Sequence, residues 1–460
     1  MTCRPLLAAA LLAAPLLPAP ALAQQAPAPT LQQAIGDPDD FKLSGSVRLR
    51  FETLDGQPRA GFRADEDQLT LRSTLFAEYD PGALRIGAEL YDSRAWLTQP
   101  GTTLGTGEVN TFELVQAYIG ADLDAPLGPG SKLGVQAGRF TLNLGSRRLV
   151  AADDYRNTTN GYTGLRADLK TASGISATAI YVLPQVRLPD DLPSLLSQDS
   201  QWDRESFDLQ LWGGLVARPA TLAGGTLELG YFGLHERDAP GRPNRNRNLD
   251  SFSARVIRDP KPGQLDFEAE GVWQTGTIRA ATAANAALLD VRAWFVHAEA
   301  GYTFPGKAKL HLSLEYDRTS GDAPGGKYTR FDTLFGMRRA DLAPAGLYNA
   351  VGRANVSALG LRAELAPSPR WDLFAAYRPL WLANRRDSFS TSGVRDASGA
   401  AGNFAGHQFD SRMRYWLAPG RLRAELNAVF LAKGRFYAAS PNSPGNRDTV
   451  YLAAGLTATL

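Results

Sequence analysis

Charged side chains that alternate with apolar ones are the residues of this chain best placed to do chemistry. Arg48, Arg50, Arg72, Arg85, Arg139, Arg166, Arg362, Arg412, Arg414 and Arg423 each stand on one face of a two-residue repeat. Glu78, Glu89, Glu268, Glu270, Glu299, Glu315, Glu364 and Glu425 do the same. Guanidinium groups set in a low-dielectric wall focus positive potential on a passing anion, and carboxylates among them keep the attraction weak enough for release. Singly, each residue is better explained by wetting a pore and pairing across strands. Collectively they describe an anion-selective passage with no chemical step. The segment 144–160 brings Arg147, Arg148, Asp153, Asp154 and Arg156, and folded inward it would narrow such a passage.

Catalytic and metal-binding constellations are scarce. The histidines His235, His297, His311 and His407 are scattered, without metal-type spacing. The acidic cluster Asp37-Pro38-Asp39-Asp40 lacks a calcium-loop pattern. No phosphate-cradling glycine loop or nucleophile elbow is present. His311 and Ser313 are two apart, so they share a strand face, as a base and nucleophile would in a membrane-embedded barrel hydrolase. That face also carries Glu315 and Asp317, whereas Leu310, Leu312, Leu314 and Tyr316 take the opposite one. The pair therefore points toward water and away from lipid. The expectation is no enzyme, no cofactor and no metal site.

The elements that must position these residues are strands. In 42–53, Leu43, Val47, Leu49 and Phe51 oppose Arg48, Arg50 and Glu52. In 68–80, Leu69, Leu71, Leu75, Ala77 and Tyr79 oppose Gln68, Thr70, Arg72 and Glu78. About eighteen such runs of about ten residues follow one another to the end, as expected of a transmembrane antiparallel up-and-down β-barrel. Short turns such as Asp80-Pro81-Gly82 and Ala418-Pro419-Gly420 alternate with long polar loops such as 95–110, 144–160, 184–204, 320–352 and 383–405. The expected architecture is all-β, with short periplasmic turns, long extracellular loops, and both termini in the periplasm. Its interior is expected to be an aqueous channel in place of a side-chain core. Tyr79, Tyr91, Tyr231, Trp273, Trp294, Tyr302, Trp371 and Tyr451 are candidates for the interfacial girdles.

The start of the chain sets the compartment. Arg4, the apolar run 6–17 and Ala21-Leu22-Ala23 read as a signal peptide of residues 1–23, cleaved before Gln24. Cys3, the one cysteine, lies inside it, so the mature chain has no thiol chemistry. Residues 24–40, rich in Ala, Pro and Gln, are expected to be a flexible periplasmic leader with no fold of its own. Residues 41–460 form the single barrel domain. Past residue 23 no stretch is long and apolar enough for a membrane helix. With Arg4 gone the chain carries 48 basic against 47 acidic side chains, which gives no field for nucleic acid. The expected setting is a monomer in the outer membrane of a Gram-negative bacterium, in contact with lipid, a solute and periplasmic export partners.

At several stretches the chain resembles the alginate-export family of outer-membrane barrels. These are QAGRFTLNLGSRRLV at 136–150, DDYRNTTNGYTGLRADL at 153–169, LDFEAEGVWQTG at 265–276, LEYDRTSGD at 314–322 and FDTLFG at 331–336, with a weaker match over 407–436. The resemblance implies an eighteen-stranded barrel whose arginine-lined constriction passes a polyuronate anion. By position it implies Arg139, Arg147, Arg148, Arg166 and Asp168 as that lining. The leading expectation is passive diffusion of an anionic polysaccharide or related anionic solute. The alternatives are a general or substrate-specific porin, an outer-membrane hydrolase using His311 and Ser313, and an adhesive or structural barrel.

Overall fold

The computed structural model describes residues 29–338 and 341–460. The expected signal peptide, its cleavage point and Cys3 lie outside the described residues, as does the leader before residue 29. From residue 41 the two-residue repeat becomes strand. In chain order these are β1 (Phe41–Asp55), β2 (Asp65–Tyr79), β3 (Leu84–Trp96), β4 (Asn110–Asp124), β5 (Lys132–Phe140) and β6 (Tyr162–Lys170). Next come β7 (Ser176–Pro184), β8 (Leu209–Leu222), β9 (Gly225–Glu236), β10 (Asn248–Arg258), β11 (Leu265–Arg279) and β12 (Leu288–Thr303). The last are β13 (His311–Thr319), β14 (Val356–Leu365), β15 (Trp371–Trp381), β16 (Phe404–Ala418), β17 (Leu422–Lys433) and β18 (Thr449–Thr459). Each pairs antiparallel with its neighbour, and β1 pairs with β18, so the sheet closes. A two-residue strand at Lys327–Tyr328 adds a short parallel pairing to β12. The expected eighteen-stranded barrel is the observed one, and closure gives each of the eighteen strands a hydrogen-bonded neighbour on both sides.

The side-chain period decides which residue meets what. On β13, His311, Ser313, Glu315, Asp317 and Thr319 are buried toward the interior while Leu312, Leu314 and Tyr316 are exposed on the outer wall. On β1, Arg48, Arg50, Glu52 and Leu54 turn inward, and Leu49 and Phe51 turn outward. Short connections (80–83, 171–175, 223–224, 419–421) gather at one rim, and long ones (141–161, 185–208, 320–355, 382–403) gather at the other.

Three features depart from expectation. Residues 30–35 are not a structureless leader: Thr30 and Gln33 form a capping box around the one-turn helix α1 (Leu31–Ala34). Gln32 then stitches that turn to β1, accepting from the Leu43 N–H at 2.7 Å and donating to the Phe41 carbonyl at 2.8 Å. The lumen is not simply water-filled either. One apolar cluster joins Leu342, Leu347 and Tyr348 with Phe389, Val394 and Phe436 against Leu54, Leu380, Leu431 and Tyr451 of the wall. A second joins Leu142, Leu144, Leu149, Val150 and Phe331 to Tyr162, Val182, Leu211, Val272 and Phe295. A barrel this wide has room for loops, and loops carrying apolar side chains fill it because burial removes that surface from water. Phe436 and Tyr437 belong to the short helix α3 (Arg435–Ala439), and α2 (Leu192–Ser197) buries Leu195 beside Ala95, Leu104 and Val109. Finally Tyr451, expected in the girdle, is fully buried in the lumen, where its hydroxyl meets that of Tyr155 at 2.7 Å.

Inward positions thus change character along the strands. On β17 the sequence Arg423, Glu425, Asn427 gives way to Val429 and Leu431, the polar end lying toward the short turns and the apolar end under the loops. Leu314→Arg places a charge against hydrocarbon and is expected to destabilise the barrel by about 2 kcal/mol or more, read by urea unfolding in liposomes. Leu314→Met is expected to change stability by less than about 1.5 kcal/mol.

Candidate functional site

The segment between β5 and β6 turns into the barrel at Gly145, whose positive φ of 52° is open to glycine, and where a Cβ would lie 2.5 Å from a Glu228 oxygen. Arg148 then anchors it. Its guanidinium lies 2.8 and 3.0 Å from the two Asp341 oxygens, 2.5 Å from Glu270, and in contact with Glu268. Arg353 also pairs with Asp341. Burial alone would raise the Asp341 carboxyl, but Arg148 and Arg353 outweigh it and hold it well below the usual carboxylate range. Asp341 belongs to the segment between β13 and β14, so one ion cluster fastens both inward segments to β11. Backbone pairing between Val150 and Phe335 adds to the join.

The far side of the segment 144–160 is held by β1 and its neighbours. Arg48 donates to the carbonyls of Asp154 (3.0 Å) and Arg156 (2.6 Å), and Arg50 donates to that of Tyr155 (2.6 Å). The Arg50 guanidinium also lies over the Tyr155 ring at 4.6 Å. Asn157 donates toward the carbonyls of Leu71, Arg94 and Glu108 at 2.8 to 3.1 Å. The segment therefore spans the lumen as a beam fixed at both ends.

Beneath the beam, toward the short turns, lies a cavity of about 370 Å³. Eight arginines line it: Arg48, Arg50, Arg72, Arg147, Arg362, Arg412, Arg414 and Arg423, with two carboxylates, Asp154 and Glu425. Strand register builds this wall. Arg72, Arg48, Thr457 and Arg423 occupy matched positions on β2, β1, β18 and β17, and Arg50, Gly455, Glu425 and Arg414 match on β1, β18, β17 and β16. The arginines are braced, not loose. Arg414 meets Glu425 at 2.6 Å, Arg412 meets Asp372 at 2.7 Å, and Arg362 meets Glu364 at 2.6 Å. Arg362 and Arg412 also lie over the Phe374 ring, at 4.1 and 5.0 Å. Braced guanidiniums keep their charge in place at little entropic cost on binding, and the surplus of cations over carboxylates makes the chamber electropositive. No group of side chains that could hold a metal occurs among the described residues.

Of the residues singled out in the sequence, Arg48, Arg50, Arg72, Arg147, Asp154, Arg362, Arg412, Arg414, Arg423 and Glu425 meet at this cavity. The others are placed elsewhere. Arg139 binds Glu113 and Glu205, both at 2.7 Å, and ties the segment 185–208 to β4. Arg85 pairs with Asp122, Arg156 with Asp153 at 3.1 Å, and Arg166 with Asp168 at 2.6 Å. Glu89 accepts from Gln116 and Glu299 lies 3.9 Å from His297, while Glu315 is buried against Arg378. Arg148 and Glu270 form the anchor. Phe374, Met337, Tyr155 and Asn427 line the cavity without having been singled out. Their parity or loop position was readable, but apolar and amide side chains carry no charge signal. His311 and Ser313 do share the inward face, yet the ring bonds Asp266 at 3.0 Å through Nε2 and its Nδ1 lies 3.7 Å from Glu364, so the imidazole is engaged by carboxylates.

Comparison with known proteins gives a family and a fold. A family model described as alginate export matches residues 40–451. No protein of curated function matches. Among solved structures the chain is similar to a BenF-like porin from Pseudomonas fluorescens Pf-5 (TM-score 0.58, 11% identity, covering 92% of this chain and 99% of that one). It is similar to Acinetobacter baumannii OccAB1 (0.57, 12%, 92% and 97%). It is also similar to Pseudomonas aeruginosa OccK2 in complex with glucuronate (0.54, 13%, 91% and 98%).

Arg148→Ala removes the cation shared by Glu268, Glu270 and Asp341, leaving Arg255 at Glu268 and Arg353 at Asp341 but, among the described residues, none at Glu270, an expected loss of about 3 kcal/mol, read as faster protease cleavage within 144–160. Acid weakens the same cluster reversibly. A carboxyl depressed in the fold contributes its stability above its unfolded value near pH 4 and loses it as pH falls further, so cleavage is expected to rise at pH 3 and not at pH 6.

Proposed function

The chain belongs to the alginate-export family, and from that premise we propose that it passes an anionic saccharide or related anionic solute through the chamber beneath the 144–160 beam, by diffusion and without a chemical step. Family and fold are both of outer-membrane channel type. The observation that carries the substrate class is the excess of arginines over carboxylates around the cavity. Carboxylates of a uronate chain would exchange among several fixed guanidiniums, each contact replaceable by the next, which permits entry and release. Glu425 and Asp372, bound to those same arginines, keep any single site from holding the solute too tightly.

A second reading is favoured by one observation. Apolar residues of the segments 144–160, 320–355 and 382–403 and of α3 pack against the lumenal wall, which suits a solute of one or a few sugar units better than a long polymer. The glucuronate bound to OccK2 is of that size.

Planar-bilayer conductance decides between them. The expected result is current block by oligouronates and none by neutral oligosaccharides of equal length, weakened at least about tenfold when Arg412→Ala and Arg423→Ala remove two of the charges. Arg139→Ala, away from the cavity, is expected to leave block unchanged. Block that is strong for single uronates and does not grow with chain length supports the small-solute reading. Equal block by charged and neutral sugars overturns both.

A further inference from the structure

Toward the long-loop rim, Arg292 and Arg318 stand on the outer wall, where the passage does not use them. Outward positions on β12 include Arg292, Trp294 and Val296, and on β13 they include Arg318, the last residue but one before the longest loop. Both arginines are exposed, and among the described residues no ion pair engages either. The Arg318 guanidinium lies over the Trp294 ring at 5.9 Å, and Arg292 is the next outward residue on the same strand. Asp290, one outward position further along, stands in register with Lys327.

Beside this pair runs a groove of about 460 Å³, walled by Phe252, Ala254, Gly271, Trp273, Trp294 and Val296. Register sets three aromatics, Phe252, Trp273 and Trp294, in one row across β10, β11 and β12, and the smaller Ala254, Gly271 and Val296 in the next. The floor is open at Gly271, where an added Cβ would meet nothing within 4 Å. The groove is apolar and faces hydrocarbon, while the arginines that flank Trp294 are cationic. An arginine on a lipid-facing wall is tolerated only toward the interface, and basic groups beside an apolar surface recognise anionic lipid head groups.

We propose that this surface is a lipid site, holding one phosphorylated lipid of the leaflet at the long-loop rim, with phosphate at Arg292 and Arg318 and an acyl chain along the groove over Gly271. Charge selects this occupant over the others. A second copy docked face to face would set like charges together, a zwitterionic phospholipid offers no net negative charge, and free phosphate has no use for the groove.

Native mass spectrometry of the full chain in detergent tests it, with bisphosphorylated lipid A, dephosphorylated lipid A, phosphatidylethanolamine and inorganic phosphate as probes. The expected result is one retained bisphosphorylated lipid, weakened roughly thirtyfold by combined Arg292→Ala and Arg318→Ala, and weakened also by Gly271→Leu, which fills the groove and leaves the charges. Bilayer conductance unchanged in both variants shows that the barrel is intact, so that loss of lipid reports on the site. Equal retention of the dephosphorylated lipid or phosphatidylethanolamine, retention unaffected by either variant, or displacement by phosphate alone overturns the proposal.

Discussion

Arg148 is where the wall and the two inward segments meet, and the interior depends on it. Its guanidinium binds Glu268 and Glu270 of β11 and Asp341 of the opposite segment. Opposite charges about 4 Å apart attract by about 4 kcal/mol at an effective dielectric of about 20, while withdrawing each from water costs several. A complete cluster is therefore near neutral for stability, and an incomplete one is strongly unfavourable. What the cluster fixes is position: with Arg148 seated, the segment 144–160 has one end tied to β11, and its carbonyls fall where Arg48 and Arg50 reach them.

The rest of the interior follows from what a loop in a lumen must do with its side chains. Apolar residues of the inward segments find apolar wall positions at the long-loop half of the barrel. The short-turn half, out of their reach, keeps charged inward positions, and the arginines of β16, β17, β1 and β2 cluster there because antiparallel register aligns them. Position along the strand thus separates a packed, water-excluding region from an open electropositive one. A chamber with fixed, braced cations at that boundary has the features that select permeants by charge.

Much of this was legible in the residues. The two-residue repeat in 42–53 or 308–319 is strong enough to name both faces, and inward parity picks out Arg48, Arg412 and Arg423 without any structure. Two things were not legible. Whether a charged residue opens on a chamber or closes an ion pair depends on register and on loops: Arg139 and Arg414 look alike in sequence, yet one ties down the segment 185–208 and the other lines the cavity. The inward folding of 144–160 was open in the sequence, a condition and not a derivation, because its apolar run 149–152 has no periodicity until Phe335 and Tyr162 are brought beside it. Tyr451 illustrates the same limit, since an aromatic near a strand end suits a girdle and a lumen equally well.

On the proposed function, fixed cations beneath the beam dominate the field a permeant meets. The reversal potential of single channels under a tenfold potassium chloride gradient measures that field directly. A potential of the sign that reports chloride crossing more readily than potassium is the predicted result. A cation-selective potential would contradict the account.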